Sequence, residues 1–314
     1  MKKIAPLLLL LAAGPAPQPA AQPAPSPNEI VAAAPAADWV AIAASDLLVM
    51  DLAPDAKGAA RRVVIQLMPP PFSKGWVGNI RKLAAAHWWD GTSINRVQDN
   101  YVVQWGDASE KKPLLAGLAK LSEGDYVSPG PVVAIAKRSG SGSSSPSKAD
   151  VYAATTGFYL GFPTGSEQRA GRVSRWPVHC YGMVGVGRNL SPDTGSGAEL
   201  YTVIGHAPRH LDRNIALVGR VIAGIEHLSS LPRGTGTLGF YEKDEERVSI
   251  RSVRLASELE ADPLLKFEYL STESKSFAAY AEARANRRDA FFIRPAGGAD
   301  ICNIPVPVRP IKAR

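Results

Sequence analysis

The stretch WWDGTSINRVQDNYVVQWGD, Trp88 to Asp107, decides how this chain is read. Asp90-Gly91 signals a turn, and the short strand-like run after it carries Arg96. A second polar turn follows at Gln98-Asp99-Asn100. Tyr101-Val102-Val103-Gln104-Trp105 is then aromatic and β-branched, the composition of a strand, and stops at Gly106-Asp107. Two strands joined through a polar turn would hold one cation beside an apolar surface. That arrangement suits a site which grips an uncharged, partly apolar substrate through a fixed hydrogen-bond donor.

Upstream of this stretch, Trp39 to Ile42 and Leu47 to Leu52 read as one or two strands. A turn at Pro54–Gly58 joins the latter to a strong strand, Arg62 to Leu67. Pro69-Pro70-Pro71 ends that strand. Trp76, Ile80, Leu83 and Ala84 then fall at helical spacing, in a helix that ends near His87. Downstream, residues 108–180 show no clear period and contain a Gly-Ser run from Ser139 to Ser147. They read as a long insertion with local structure but without a core of its own. Period two returns at Glu199–Ile204, where Glu199 and Tyr201 share one face and Leu200 and Thr202 the other. Ile215 to Val221 reads as a strand, Ile222 to Leu231 as a short helix, and Arg247 to Leu255 as a half-exposed strand. Ser257 to Asp289 is charged and helical in part, and the tail ICNIPVPVRP is extended. About eight short strands with two short helices predict an all-β barrel or sandwich.

The chain has 314 residues and a formal charge of +7, with room for one large or two modest domains. Its Lys and Arg are scattered, with no basic helix interleaved with aromatics, so a solvated basic surface is expected and nucleic-acid binding is not. Lys2-Lys3, the apolar run Ile4 to Ala13 and the small residues after it form a secretory signal pattern, placed at residues 1–21. Its apolar run is too short to span a bilayer, and the expectation is a periplasmic or secreted protein with no integral membrane association after cleavage. Residues 22–37, rich in Ala and Pro, read as an extended linker. In an oxidising compartment Cys180 and Cys302 either form a disulfide closing a long loop or remain two buried thiols. They lack companion ligands for a zinc site, and His206 and His210 have Pro208 between them and no third ligand, so no metal or other cofactor is expected. Gly234-Thr-Gly-Thr-Leu-Gly239 matches a dinucleotide glycine pattern formally, but outside the strand-to-helix context that pattern requires, and reads as a loop.

The order of these blocks resembles the cyclophilin-type peptidyl-prolyl isomerases. The matching pieces are Val63 to Leu67, Asn79 to Leu83, Trp89 to Asp107, Gly182 to Ser191, Gly197 to Ile204, Leu211-Asp212, Leu217 to Val221 with Gly224, and Arg247 to Leu255. They cover residues 38–256 apart from the insertion, and leave a C-terminal extension at 257–314. The chain also resembles divergent exported cyclophilin-like proteins of Gram-negative bacteria. The resemblance implies a mainly β fold, a closed eight-stranded antiparallel barrel capped by two helices, with a peptide groove on its outer face.

It also implies roles for single residues. The essential arginine of the family matches Arg96, the groove glutamine Gln104, the first groove aromatic Tyr101 with Val102 beside it, the second pocket aromatic Tyr201, and the apolar residue of the later loop Leu211. Other positions depart from the family's pattern. Asn95 stands for a histidine, Trp105 for a glycine, Glu199 for a groove glutamine, His210 for a tryptophan and Ile215 for a pocket histidine, and the place of the family's peptide-binding asparagine falls near Arg188. The implied function is prolyl isomerisation that assists the folding of exported proteins, with proline-containing polypeptides as substrates. The alternative is a catalytically weak or inactive module that binds proline peptides, a chaperone or a scaffold. Oligomeric state is not legible.

Overall fold

The computed structural model describes residues 24–129, 150–259 and 262–311. The signal pattern and the Gly-Ser run lie outside the described residues.

Eight strands close into one antiparallel barrel. In chain order they are β1 (Leu47–Leu52), β2 (Arg61–Leu67), β3 (Ser93–Val97), β4 (Val102–Gly106), β5 (Met183–Val186), β6 (Leu200–Val203), β7 (Leu217–Ala223) and β8 (Val248–Leu255). Around the barrel the order is β5-β6-β4-β3-β8-β1-β2-β7, and β7 pairs back to β5. The Pro54–Gly58 turn is where the sequence puts it, with Asp55 Oδ1 accepting from the N–H groups of Lys57 and Ala59 at 2.9 and 2.8 Å. Alternation sends Met50, Val63, Ile65, Ile94, Val103, Trp105, Val184, Val186, Leu200 and Ile250 into the interior, where all are buried. Helix α2 (Lys74–Ala85) closes one end of the barrel with Trp76, Ile80 and Leu83, each fully buried.

Several expectations need correction. The second capping helix is only one turn, Glu226–Ser229, because Ile222 and Ala223 continue β7 along β2. Part of the expected linker is folded: Pro27–Ala33 form helix α1, with Pro27 in the first turn and a Ser26–Glu29 capping box. Ala-rich chain is a good helix former, and Ile30, Val31 and Ala34 supply enough apolar surface to pack against the core. Trp39–Ala41 is a strand apart from β1; it pairs with Phe267–Leu270, which pairs in turn with Val308–Pro310. The insertion forms a four-stranded antiparallel sheet, and its Phe158 and Phe162 join the main core.

Two contacts tie these additions to the barrel. Arg220 of β7 is buried, donates to Gln66 Oε1 and to the Gly161 carbonyl of the insertion, and lies 5.8 Å from the Tyr269 ring of the extension. Burial pushes its guanidinium down to about 10. Cys180 and Cys302, left open by the sequence, are disulfide-bonded across 122 residues, joining the start of β5 to the extension.

Candidate active site

The site is built on the outer face of three neighbouring strands. Arg96 on β3 lies opposite Gln104 on β4, and Gln104 lies opposite Tyr201 on β6. At about 4.8 Å between strands, the row spans roughly 10 Å. Strict alternation along β3 would have turned Arg96 inward with Ile94. The register shift between these two residues makes Asn95 an extra residue, a bulge, and leaves Arg96 facing outward. The turn after β3 is closed by the Gln98 N–H on the Val102 carbonyl at 2.9 Å, with Asn100 left-handed at φ 51°. Asn tolerates that conformation, and its Oδ1 accepts from the His206 N–H at 2.8 Å, pinning the turn and so placing Tyr101.

Arg96 is held at several points. Its Nη1 donates to Gln104 Oε1 at 3.2 Å, its Nη2 to Gln98 Oε1, and its Nε to the Leu238 carbonyl at 2.8 Å. The guanidinium carbon lies 5.8 Å from the Tyr101 ring centroid and 5.3 Å from that of Phe240. Burial lowers its pKa from the ordinary arginine value, with Tyr101 opposing. An arginine so shifted is still a cation at neutral pH. Leu238, Gln98 and Phe240 were not singled out in the sequence. The loop set aside as a false dinucleotide motif brings Leu238 and Phe240 against Arg96 from 142 and 144 positions away, a separation that no local pattern reveals.

Beside the row, Val102, Tyr201 and Val203 form a small apolar cluster, with Tyr101 and Ile215 packed on it. The Tyr201 ring lies across Gly185, where a Cβ would come within 2.3 Å of it. His210 is exposed and stacks on Tyr101, with ring centroids 6.4 Å apart. Leu211 is half-buried on the same turn, Arg209–Leu211, outside that apolar cluster. Trp105, which departs from the family's pattern, points into the core and does not touch the groove. Arg188 donates to the carbonyls of Asn189 and Asn214.

Behind Tyr201 runs a buried polar chain that the sequence did not disclose. The Tyr201 hydroxyl is 2.8 Å from His179 Nε2, and His179 Nδ1 is 2.9 Å from Asp212 Oδ1. Asp212 also accepts from Arg209 Nε at 2.7 Å, and Arg209 bonds both oxygens of Asp150, at the end of the insertion, at 2.8 Å each. Burial lowers the His179 pKa against the pull of Asp212, which favours the neutral ring. With Nδ1–H donated to Asp212, Nε2 is left to accept the tyrosine O–H. Burial likewise raises Tyr201 well above its ordinary value, so it remains a phenol.

Glu199 lies two residues before Tyr201 on the same face. Its carboxyl lies over Gly106, where a Cβ would meet Oε1 at 1.9 Å. Burial pushes this carboxyl up to about 7, while the Asp107 N–H and the Asn95 side chain, both hydrogen-bonded to it, pull down. Among the described residues no group of three His, Cys, Asp or Glu side chains could hold a metal ion.

The family described as "Cyclophilin type peptidyl-prolyl cis-trans isomerase/CLD" matches residues 60–255. The chain belongs to this family. Its reaction is exchange about the X-Pro bond, and the closed barrel is the cyclophilin fold. Among solved structures the chain is similar to the cyclophilin AquaCyp293 from Hirschia baltica, at 22% identity and a TM-score of 0.63, over 86% of this chain and 92% of that one. A cyclophilin from Cryptosporidium parvum matches at 11% identity and a TM-score of 0.37, over 67% of this chain and 97% of its own. The same Cryptosporidium protein in the presence of the dipeptide Ala-Pro matches at 10% and 0.36, over 66% and 98%. No curated protein matches the chain in sequence.

Proposed function

We propose that this cyclophilin isomerises X-Pro bonds in exported polypeptides, with Arg96 as the donor to the twisted imide. The observation that carries the reading is the outward row Arg96–Gln104–Tyr201 beside the apolar cluster of Tyr101, Val102, Val203 and Ile215. Amide resonance sets a rotation barrier of about 18–20 kcal/mol, and uncatalysed exchange takes tens to hundreds of seconds. Twisting the bond breaks that resonance, so the nitrogen pyramidalises and gains a lone pair. Three of the five N–H bonds of Arg96 are engaged by Leu238, Gln98 and Gln104, which fix the guanidinium while leaving two for the substrate. A donor already in place costs no reorganisation as charge shifts. The proline ring fits the apolar cluster, where little water competes. No nucleophile or proton transfer is needed. A protease-free isomerisation assay of wild type and Arg96→Ala tests the assignment, and equal activity of the two proteins removes Arg96 from the mechanism.

Export is supported by the signal pattern at residues 1–21 and by the Cys180–Cys302 bond, which suits an oxidising compartment. Cell fractionation with thiol labelling tests it: a cytoplasmic, doubly labelled protein contradicts it. A second reading is favoured by the same crowding of Arg96. If Leu238 and Phe240 hold the guanidinium too firmly to follow the twisting bond, the groove binds proline segments without useful turnover. Peptide binding seen by NMR without enhanced cis-trans exchange would select that reading.

A further inference from the structure

We propose that Glu199 makes this groove selective for substrates with a lysine or arginine side chain close to the prolyl bond. The inference rests on the groove reading above and deepens it.

Glu199, the residue before β6, and Tyr201 are two positions apart on one face, hence about 7 Å apart. An extended peptide with its proline on Tyr201 covers that distance in two residues, so a neighbouring side chain passes the carboxyl. The carboxyl is built into the groove wall. Gly106 and Gly187 flank it, and a Cβ at either would reach the Glu199 side chain, at 1.9 and 3.0 Å. Among the described residues no ion pair is made by Glu199. Two cations of the wall are committed elsewhere: Arg96 to Gln98, Gln104 and the Leu238 carbonyl, Arg188 to two backbone carbonyls.

A second observation points the same way. Asn95, next to the carboxyl on the bulge, is buried, and its Oδ1 has no hydrogen-bond partner. The Asn95 side chain and the Asp107 N–H, both hydrogen-bonded to the carboxyl, hold it in place and leave its charge unpaired. The charges that face Glu199 are negative: Asp107 and Glu110, on the loop after β4, both raise its pKa, and the facing groups of β3 and β4, Asn95 and Gln104, are uncharged. His210 stands at the far rim, on Tyr101. A side-chain ammonium or guanidinium from the substrate supplies the missing opposite charge. Because the free carboxyl titrates near 7, a cationic substrate is preferred above that pH, and the preference fades as Glu199 protonates below it.

The test compares matched X-Pro peptides carrying lysine or norleucine at each of the two positions on either side of the prolyl bond, by kcat/KM and by NMR-detected binding. At pH 8.5 the lysine peptide is expected to lead by about five- to tenfold at one position. The lead should shrink toward unity by pH 5.5 and vanish in Glu199→Gln at every pH. Any pH dependence from His210 would persist in that variant. Equal values for the two peptides at pH 8.5 overturn the inference while leaving the isomerase reading intact. So does a lysine preference that is independent of pH in the wild type, a result that needs no variant. If neither peptide binds or turns over, the groove reading falls and this inference falls with it.

Discussion

The two ends of the groove are held by different physics. At the Arg96 end, a half-buried cation is held by single hydrogen bonds to Gln104, Gln98 and one loop carbonyl, beside a rim that includes the partly exposed Phe240. At the Tyr201 end, the ring is backed by a buried chain, His179–Asp212–Arg209–Asp150, beside the Cys180–Cys302 bond. The first end keeps two donors unspent and can change partners during a reaction. The second has its polar groups satisfied and sealed from water, which rigidifies a surface but cannot respond to a substrate. Damage at the Tyr201 end is therefore expected to appear mainly as lost stability, and damage at the Arg96 end mainly as lost turnover.

The largest expected effect tests the Tyr201 end. Replacing both cysteines with serine frees a loop of 122 residues, worth up to about 4–5 kcal/mol by chain entropy, and should lower Tm markedly in thermal unfolding. A Tm unchanged by the double replacement would mean that other contacts anchor the extension. Next, Arg96→Ala should cost about 10²–10³ in kcat/KM, comparable to removing one preorganised donor, with a far smaller change in Tm. If Tm falls and the residual activity per folded molecule does not, the comparison between the two ends is broken.

A third measurement concerns Glu199. Its folded pKa of about 7 lies above the ordinary 4.5, so the folded state holds a proton that the unfolded state has released. The stabilising contribution is full below about pH 4.5 and is lost as pH rises through 7, at most about 3 kcal/mol. Glu199→Gln should abolish that slope and raise stability at pH 8. Denaturant melts at pH 5 and pH 8 check the sign. Smallest is Tyr201→Phe, which keeps the ring but leaves His179 Nε2 without its donor. A loss of about 1–2 kcal/mol with nearly unchanged kcat is expected.

Much of the site was legible because strand alternation is a local property. Period two placed Glu199 and Tyr201 on one face and Leu200 on the other, and the block order pointed to Arg96, Gln104 and Tyr101 together. Trp105 shows where residue-by-residue comparison misleads: it departs from the family's pattern, yet faces the core. Asn95 is the opposite case. It departs from the pattern and sits on the bulge that turns Arg96 outward, beside Glu199.

By itself, the amino-acid sequence determined the class of fold, the hairpin that carries Arg96 and the two faces of the Glu199–Ile204 run, since propensity, alternation and turn chemistry act over a few residues, whereas the outward turn of Arg96 needed the bulge at Asn95. Only the tertiary structure decided that Cys180 reaches Cys302, that Leu238 and Phe240 close over Arg96, that His179 backs Tyr201, and that an acid without a cationic partner lines the groove. Those contacts join residues many positions apart. Their energies come from burial and from hydrogen bonds that exist only once the barrel has closed.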